Sequence, residues 1–164
     1  MKKIGLLSDT HGIIDKSILD FFKKCDEIWH AGDIGNIESA DLISKFKPLK
    51  GVYGNIDGQD VRIAYPKIQS FNCEEIKVLM THIGGYPGKY EKEIKKLIVE
   101  LKPDLFISGH SHILKVIYDS KNELLHINPG AAGKSGLHKL QTAVRFFIDR
   151  KEIKDLEIYE KPRR

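Results

Sequence analysis

Five short apolar runs, each ending in polar residues of a restricted kind, constrain this chain more than any other feature. The runs have the composition of β-strands. The blocks that end them are Ser8-Asp9-Thr10-His11-Gly12, Gly32-Asp33, Gly54-Asn55-Ile56-Asp57, Thr81-His82 and Gly109-His110-Ser111-His112. In open α/β sheets, residues beyond the carboxyl ends of the strands line a common crevice. We therefore expect the five blocks to meet at one place.

The sequence between these blocks predicts an α/β chain. Strands are predicted over 3–8, 27–30, 49–53, 77–81 and 104–108, and helices over 15–24, 37–46 and 90–101, with Asp15 as the first N-cap. Alternation in Val61-Arg62-Ile63 and within 67–73 predicts antiparallel hairpins over 60–81, and 84–88 is predicted to be a loop. Beyond residue 113 only strands are predicted, over 113–119, 123–127, 141–148 and 152–159. We predict one domain spanning 1–164, a sandwich of two mixed sheets flanked by helices.

Composition narrows the classes of partner and location. No apolar stretch approaches the ~18 residues of a membrane span, so no membrane partner is expected. Cys25 and Cys73 lie far apart in no metal-binding or redox pattern, which favours free thiols in the cytoplasm. The net charge of +4 comes from dispersed lysines. Dispersed charge does not form a nucleic-acid-binding stripe, so nucleic acid is expected only as a nucleotide substrate.

The side chains in the five blocks have the chemistry of metal ligands. Four histidines, two carboxylates and one amide are enough for two divalent ions; they are Asp9, His11, Asp33, Asn55, His82, His110 and His112. The i, i+2 spacing of Asp9 and His11, and of His110 and His112, would put each pair on one face of an extended chain. Any single block could be turn or cap chemistry alone. Their joint occurrence favours metal ligands. Imidazole with carboxylate and amide oxygen suits Mn²⁺, Fe²⁺, Co²⁺, Ni²⁺ or Zn²⁺ better than Mg²⁺.

In this order, these motifs resemble the calcineurin-like metallophosphoesterase superfamily. The short length and Ile127-Asn128-Pro129-Gly130 resemble its small single-domain, YfcE-type phosphodiesterase branch. The resemblance implies a four-layer α/β/β/α sandwich and a small-molecule phosphoester substrate attacked by a metal-bound hydroxide. It implies two ions, Mn²⁺ above all, and a homodimer is a family-level expectation. Site one would be Asp9, His11, Asp33 and His112, and site two would be Asp33, Asn55, His82 and His110, with Asp33 shared.

The third block departs from the family pattern. Much of the superfamily has a histidine, thought to protonate the leaving group, where this chain has Ile56. Without that acid, esters with stable leaving groups should react best. We assign catalytic roles to Asn55, which would stabilise charge on the phosphoryl oxygens, and to Asp57, which would orient a neighbour. The alternative for Asp57 is a plain turn residue before Gly58.

Other interpretations remain open or fail. The retromer subunit of this fold acts mainly as a scaffold with an altered metal motif, so a metal-binding interaction scaffold is the alternative function. The run Gly130-Ala131-Ala132-Gly133-Lys134-Ser135 is not a P-loop, because only two residues separate its glycines. His30 either supports a metal ligand or merely ends a strand, and the second is favoured. His126 and His138 receive no role.

Overall fold

A computed structural model describes residues 1–163. Its helices are α1 (Lys16–Phe21), α2 (Ile37–Phe46), α3 (Gln59–Ala64) and α4 (Lys92–Leu101). Asn36 begins α2 by accepting the Ser39 backbone N–H at 2.8 Å. Asp15 occupies the predicted N-cap of α1, but its carboxylate makes no capping bond and instead accepts from Gln141 Nε2 at 3.2 Å.

The first sheet carries three parallel strands whose carboxyl ends point the same way. Its strands are β1 (Lys2–Leu7), β2 (Glu27–His30), β3 (Leu49–Gly51), β11 (Leu140–Asp149) and β12 (Glu152–Pro162), in the order β12-β11-β1-β2-β3. Strand β1 pairs parallel with β2, and β2 pairs parallel with β3. Strand β11 runs antiparallel to both β1 and β12.

The second sheet repeats this mixed plan. Its strands are β4 (Ile68–Cys73), β5 (Ile76–Thr81), β8 (Leu105–Ile107), β9 (Leu114–Asp119) and β10 (Leu124–Pro129), in the order β4-β5-β8-β10-β9. Strands β5, β8 and β10 are parallel, and β4 and β9 are antiparallel edges. A small hairpin, β6 (Gly85–Tyr86) and β7 (Lys89–Tyr90), follows β5.

The apolar residues divide into layers that match a four-layer α/β/β/α sandwich. The largest cluster lies between the sheets, where Leu6 and Trp29 of the first sheet meet Met80 and Ile107 of the second. Helices α1 and α2 cover the outer face of the first sheet, and α4 covers the outer face of the second. The predicted fold class is therefore confirmed.

The structure corrects the sequence prediction in the segment before β4. Residues 61–63 were predicted as a strand, but they lie in helix α3. Val61 is buried against Ile34 and Ala40, whereas Ile63 is 77% exposed. A six-residue helix with one buried residue is too short for its apolar pattern to distinguish the helical period of 3.6 residues from the strand period of 2. The hairpin of β4 and β5 is confirmed.

Smaller differences concern element ends. Helix α1 ends at Phe21, before the predicted residue 24, and α4 begins at Lys92 because residues 89–90 form β7. The predicted 84–88 loop therefore belongs to the small hairpin. Among residues 1–163, no helix is both long and apolar enough to cross a membrane.

Candidate metal centre

The five polar blocks meet at the carboxyl ends of β1, β2, β3, β5 and β8. Backbone bonds join the blocks at the end of each sheet: Asp9 N–H donates to the Gly32 carbonyl at 2.9 Å in the first sheet, and Gly109 N–H donates to the His82 carbonyl at 2.9 Å in the second. The His11 N–H likewise donates to the Asp33 carbonyl at 3.0 Å. The topology thus brings together residues that lie up to about a hundred positions apart in the chain.

The backbone at these residues is left-handed rather than extended. Asp9, His11, Asp33, His110 and His112 have φ of 55°, 48°, 55°, 72° and 62°, and they make up half of the ten non-glycine residues with positive φ within 1–163. Such conformations cost about 1–3 kcal/mol each and cluster at functional sites. The predicted extended-chain pairing at i, i+2 is therefore wrong in its geometry. His110 and His112 in fact join different groups.

Two groups of three ligand-type residues result. Asp9, His11 and His112 form group one, and Asp33, His82 and His110 form group two; in each, the ligand atoms lie within 4.8 Å of one another. The groups adjoin, because Asp33 Oδ2 lies 3.2 Å from His82 Nε2 and 3.4 Å from His11 Nε2. Asp33 thus faces both groups, as a shared ligand would.

Each of the two carboxylates has one oxygen held by the protein and one left to face histidines. Asp9 Oδ2 accepts from Ser8 Oγ at 2.6 Å and from the His110 N–H at 3.1 Å. Its other oxygen, Oδ1, lies 3.1 Å from His112 Nε2. Asp33 Oδ1 accepts the Ile56 N–H at 3.1 Å, which leaves Oδ2 facing the histidines. The arrangement fixes both carboxylates while keeping one oxygen of each available.

Unsatisfied buried atoms indicate what the site is built to hold. Four buried side-chain atoms in residues 1–163 lack a hydrogen-bond partner, and three of them are Asp9 Oδ1, His11 Nε2 and His82 Nε2. Buried polar atoms without partners are costly, so a cluster of three needs an explanation. A divalent cation supplies one, because carboxylate oxygen and imidazole nitrogen are both ligand atoms. These residues therefore fit a metal centre.

Two of the histidines are held in the tautomer that metal binding requires. His82 Nδ1 lies 2.8 Å from the Ala31 carbonyl, which can only accept, so Nδ1 carries the proton and Nε2 keeps its lone pair. His112 Nδ1 lies 3.2 Å from His138 Nδ1. His138 Nε2 donates to the Gly133 carbonyl at 2.8 Å, so its Nδ1 accepts from His112. A metal-binding histidine commonly donates its other N–H in this way.

Sequence reasoning missed His138. It lies outside the five blocks, in the loop between β10 and β11, and only the fold brings it to His112, with ring centroids 5.0 Å apart. The glycine-rich run preceding it packs on the end of β1, where Gly133 N–H donates to the Asp9 carbonyl at 3.1 Å. Nothing in the spacing of residues 130–138 reveals this contact, so the sequence held no usable signal.

His30 supports the ligand loops, contrary to the favoured view that it merely ends a strand. It is fully buried, and its Nδ1 accepts the Gly32 N–H at 3.1 Å. Its Nε2 donates to Thr10 Oγ1 at 2.9 Å, and that hydroxyl donates to the Ile34 carbonyl at 3.0 Å. Burial lowers the pKa of His30 to about 4, so the ring stays neutral and fills both roles. One side chain thereby ties the β1 loop to the β2 loop.

Asp57 fixes backbone rather than pointing at the ligands. Its carboxylate is buried and accepts three N–H groups, from Ile34 at 3.1 Å, Gly35 at 2.7 Å and Gly54 at 2.8 Å. It therefore joins the loop that carries Asp33 to the loop that carries Asn55. Of the two sequence interpretations, this geometry matches an orienting residue.

Asn55 and Ile56 lie at the open side of the site. Asn55 is exposed, and its carbonyl accepts from Arg62 Nη2 at 3.3 Å, which leaves the side-chain amide available. Ile56 is 45% exposed and brings no proton donor. Gly54 is needed here because a Cβ at that position would collide with the Asp33 backbone and carboxylate.

Electrostatics in group two favour a bound positive charge. Burial by itself would raise the pKa of Asp33, but His82, the Ile56 N–H and His11 together hold that pKa below its usual range. Burial would lower the pKa of His82, yet the nearby carboxylates of Asp33 and Asp9 raise it. Both shifts reflect the attraction between the buried carboxylates and the imidazoles beside them, so the carboxylates favour positive charge at this position.

Comparisons with known proteins agree with this geometry. Residues 1–151 match the calcineurin-like phosphoesterase superfamily domain. A relative from Methanothermobacter thermautotrophicus, described as a probable metallophosphoesterase, is 29% identical over 133 residues, covering 78% of this chain and 76% of its own.

Solved structures show the same fold. One described as a novel archaeal phosphodiesterase superposes with a TM-score of 0.74 at 21% identity, covering 96% of this chain and 99% of its own. Wild-type Vps29 from Entamoeba histolytica, complexed with Zn²⁺, superposes with a TM-score of 0.76 at 15% identity, covering 99% of both chains. Since the family match extends over most of its length, this chain belongs to the calcineurin-like phosphoesterase superfamily.

Proposed function

We propose that this protein is a phosphodiesterase that works with two divalent metal ions. The observation that carries the proposal is the pair of adjoining ligand groups, whose inward-facing Asp9 Oδ1, His11 Nε2 and His82 Nε2 lack protein partners. Asp9, His11 and His112 would hold one ion and Asp33, His82 and His110 the other, with Asp33 shared and Asn55 added to the second. Such ions, when bound, activate water and neutralise phosphoryl charge.

The remaining chemistry falls to the chain itself. The exposed Asn55 amide would donate to a non-bridging phosphoryl oxygen, and stabilising charge there lowers the barrier. Asp57 would act on the reaction only through the loops that it joins. Ile56 supplies no proton to the departing alcohol, so the proposal favours diesters whose leaving groups are stable anions.

The finer expectations belong to the same proposal. Mn²⁺ is the expected metal, with Ni²⁺, Fe²⁺, Co²⁺ and Zn²⁺ also matching these ligands. We propose that residues 1–164 act as one domain in the cytoplasm, as a homodimer. Cys25 and Cys73 are both free thiols, which supports a reducing compartment, where disulfides are rare.

A metal-binding interaction scaffold is the second candidate, favoured by the similarity in fold to Vps29. Metal content and hydrolysis of bis(4-nitrophenyl) phosphate separate the two functions. The proposal expects about two ions per chain and metal-dependent release of nitrophenolate, lost in Asp33→Ala. Two tightly bound ions with no turnover under any of the five metals would instead support the scaffold.

A further inference from the structure

A cavity of about 210 Å³ opens beside the metal centre. It lies between the β6–β7 hairpin and the carboxyl ends of β8 and β10, and His110 is part of its wall. Ligand sites for whole drug-sized molecules are typically about 300–1,000 Å³, so this cavity suits a single ring or a short chain. Its position next to a ligand of group two places it within reach of one arm of a bound ester.

His126 supplies an unused hydrogen-bond acceptor in this cavity. The side chain is 1% exposed and stacks on Phe106 with ring centroids 5.2 Å apart. Its Nδ1 donates to the Phe106 carbonyl at 3.1 Å, so the neutral ring keeps a lone pair on Nε2. Burial lowers the pKa of His126 to about 4, which keeps the ring neutral at physiological pH. Nothing in the metal centre uses this histidine.

The other walls combine polar and apolar groups. Glu91 adds a carboxylate that accepts hydrogen bonds, and Lys115 adds an ammonium that donates them. Lys115 Nζ lies 3.9 Å from the centroid of the Tyr86 ring. Ile83 and Ile113 form apolar walls and remain 42% and 62% exposed. A ligand that matches these walls needs hydrogen-bond donors, hydrogen-bond acceptors and an apolar face in one molecule.

We propose that this cavity, floored by His126, is the subsite for a sugar-sized, hydroxyl-bearing alcohol arm of the phosphodiester. A hydroxyl group donates to His126 Nε2 or Glu91 and accepts from Lys115, and the carbon face of the ring packs on the isoleucines. A purely alkyl arm would leave the His126 acceptor without a partner, which is unfavourable. The inference rests on the proposed function and adds a substrate class to it.

Two esters with the same leaving group test the inference by kinetics. Thymidine 5′-(4-nitrophenyl phosphate) carries a hydroxylated sugar, and methyl 4-nitrophenyl phosphate does not; both release nitrophenolate. We expect the wild type to have the higher kcat/KM for the thymidine ester. We expect His126→Phe, which keeps the stacking on Phe106 and removes the acceptor, to reduce that preference about 2- to 10-fold. Lys115→Ala should also reduce the preference for the thymidine ester. This variant provides the test if His126→Phe folds poorly.

A matched control and a binding measurement complete the test. Tyr118→Ala, on the same strand as Lys115 but outside the cavity and 61% exposed, should leave the preference unchanged. Thymidine added to the wild-type protein should shift the His126 side-chain resonances in NMR spectra saturably, and cyclohexane, which has no hydroxyl group, should not. No His126 shift, or an ester preference unaffected by both cavity variants, overturns the subsite. If thymidine shifts His126 but neither ester is hydrolysed, the cavity binds sugars and the proposed function fails.

Discussion

The contact between His138 and His112 gives the sharpest prediction, because it lies outside every sequence motif. His138→Ala removes the acceptor for His112 Nδ1–H, which now lies 3.2 Å from His138 Nδ1. It also removes the bond from His138 Nε2 to the Gly133 carbonyl. The His112 ring then loses the partner that fixes its tautomer and its orientation toward Asp9 Oδ1, 3.1 Å away.

The expected magnitude follows from the role of such partners. Removing the group that orients a metal-binding histidine typically costs about 10- to 100-fold in metal affinity, which is about 1.4 to 2.7 kcal/mol. The loss should fall on the ion held by Asp9, His11 and His112. The ion held by Asp33, His82 and His110 should be affected much less, because the Ala31 carbonyl holds His82 independently at 2.8 Å.

Calorimetric titration of the metal-free protein with Mn²⁺ measures both sites. In His138→Ala we expect the affinity of group one for Mn²⁺ to fall about 10- to 100-fold and the affinity of group two to stay nearly unchanged. His138→Asn should restore part of the affinity, because its amide oxygen occupies a position comparable to the imidazole Nδ1. Leu137→Ala, at a neighbouring residue that is 98% exposed, is the matched control and should bind as the wild type does. Two unchanged sites in a folded His138→Ala protein would refute the reasoning.

Further predictions concern other parts of the molecule. Asp33→Ala should lose both ions and several orders of magnitude of activity while circular dichroism stays native; a variant that keeps two ions and its turnover rules out the shared ligand. Ile56→His should make the rate depend less steeply on leaving-group pKa, and a wild-type rate already independent of that pKa would contradict this account. Asp57→Ala should lower the free energy of unfolding by about 3 kcal/mol in urea titrations, because three N–H groups lose a charged acceptor; a loss under about 0.5 kcal/mol would argue against that role. The pKa of His126 falls from 6.5 to about 4 on folding. Its contribution to stability is therefore complete above pH 6.5 and is lost as the pH falls through about 4. Between pH 7 and pH 5 this amounts to about 2 kcal/mol, which His126→Phe should remove from the pH dependence of unfolding; equal slopes in both proteins would contradict it.

The sequence was informative where chemistry and topology coincide. Strands β2 and β5 are short and almost fully buried, and Gly32-Asp33 and Thr81-His82 lie at their carboxyl ends. Parallel strands place those ends at one edge of a sheet, so the meeting of Asp9 with Asp33 follows from the order of elements, whereas His82 joins them through the packing of the second sheet on the first. The helix over Ile37–Phe46 was predicted to the residue from its apolar face and from Pro48, which ends the pattern, and the structure adds Asn36 as its N-cap.

Sequence patterns did not predict the local backbone conformation at the site. The i, i+2 spacing of Asp9 and His11 suggested an extended chain, but both residues adopt positive φ, which aspartate and histidine tolerate better than most residues. The pairing of His112 with His138 depends on a loop that returns from β10 across the end of β1, and such long-range contacts have no local signature. The prediction for helix α3 failed for a different reason. Val61 is the only buried residue of this helix, so its sequence shows no helical apolar pattern.

Three polar braces, each joining two loops, explain how a site with strained backbone holds its shape. Asp57 joins the β3 loop to the β2 loop, and His30 joins the β2 loop to the β1 loop through Thr10. His138 joins the β10–β11 loop to the loop after β8 through His112. Each brace is itself satisfied by backbone or neighbouring groups, so the ligands can be held ready before any ion arrives. Ligands fixed in this way bind without a reorganisation cost, which is the condition that precise metal sites require.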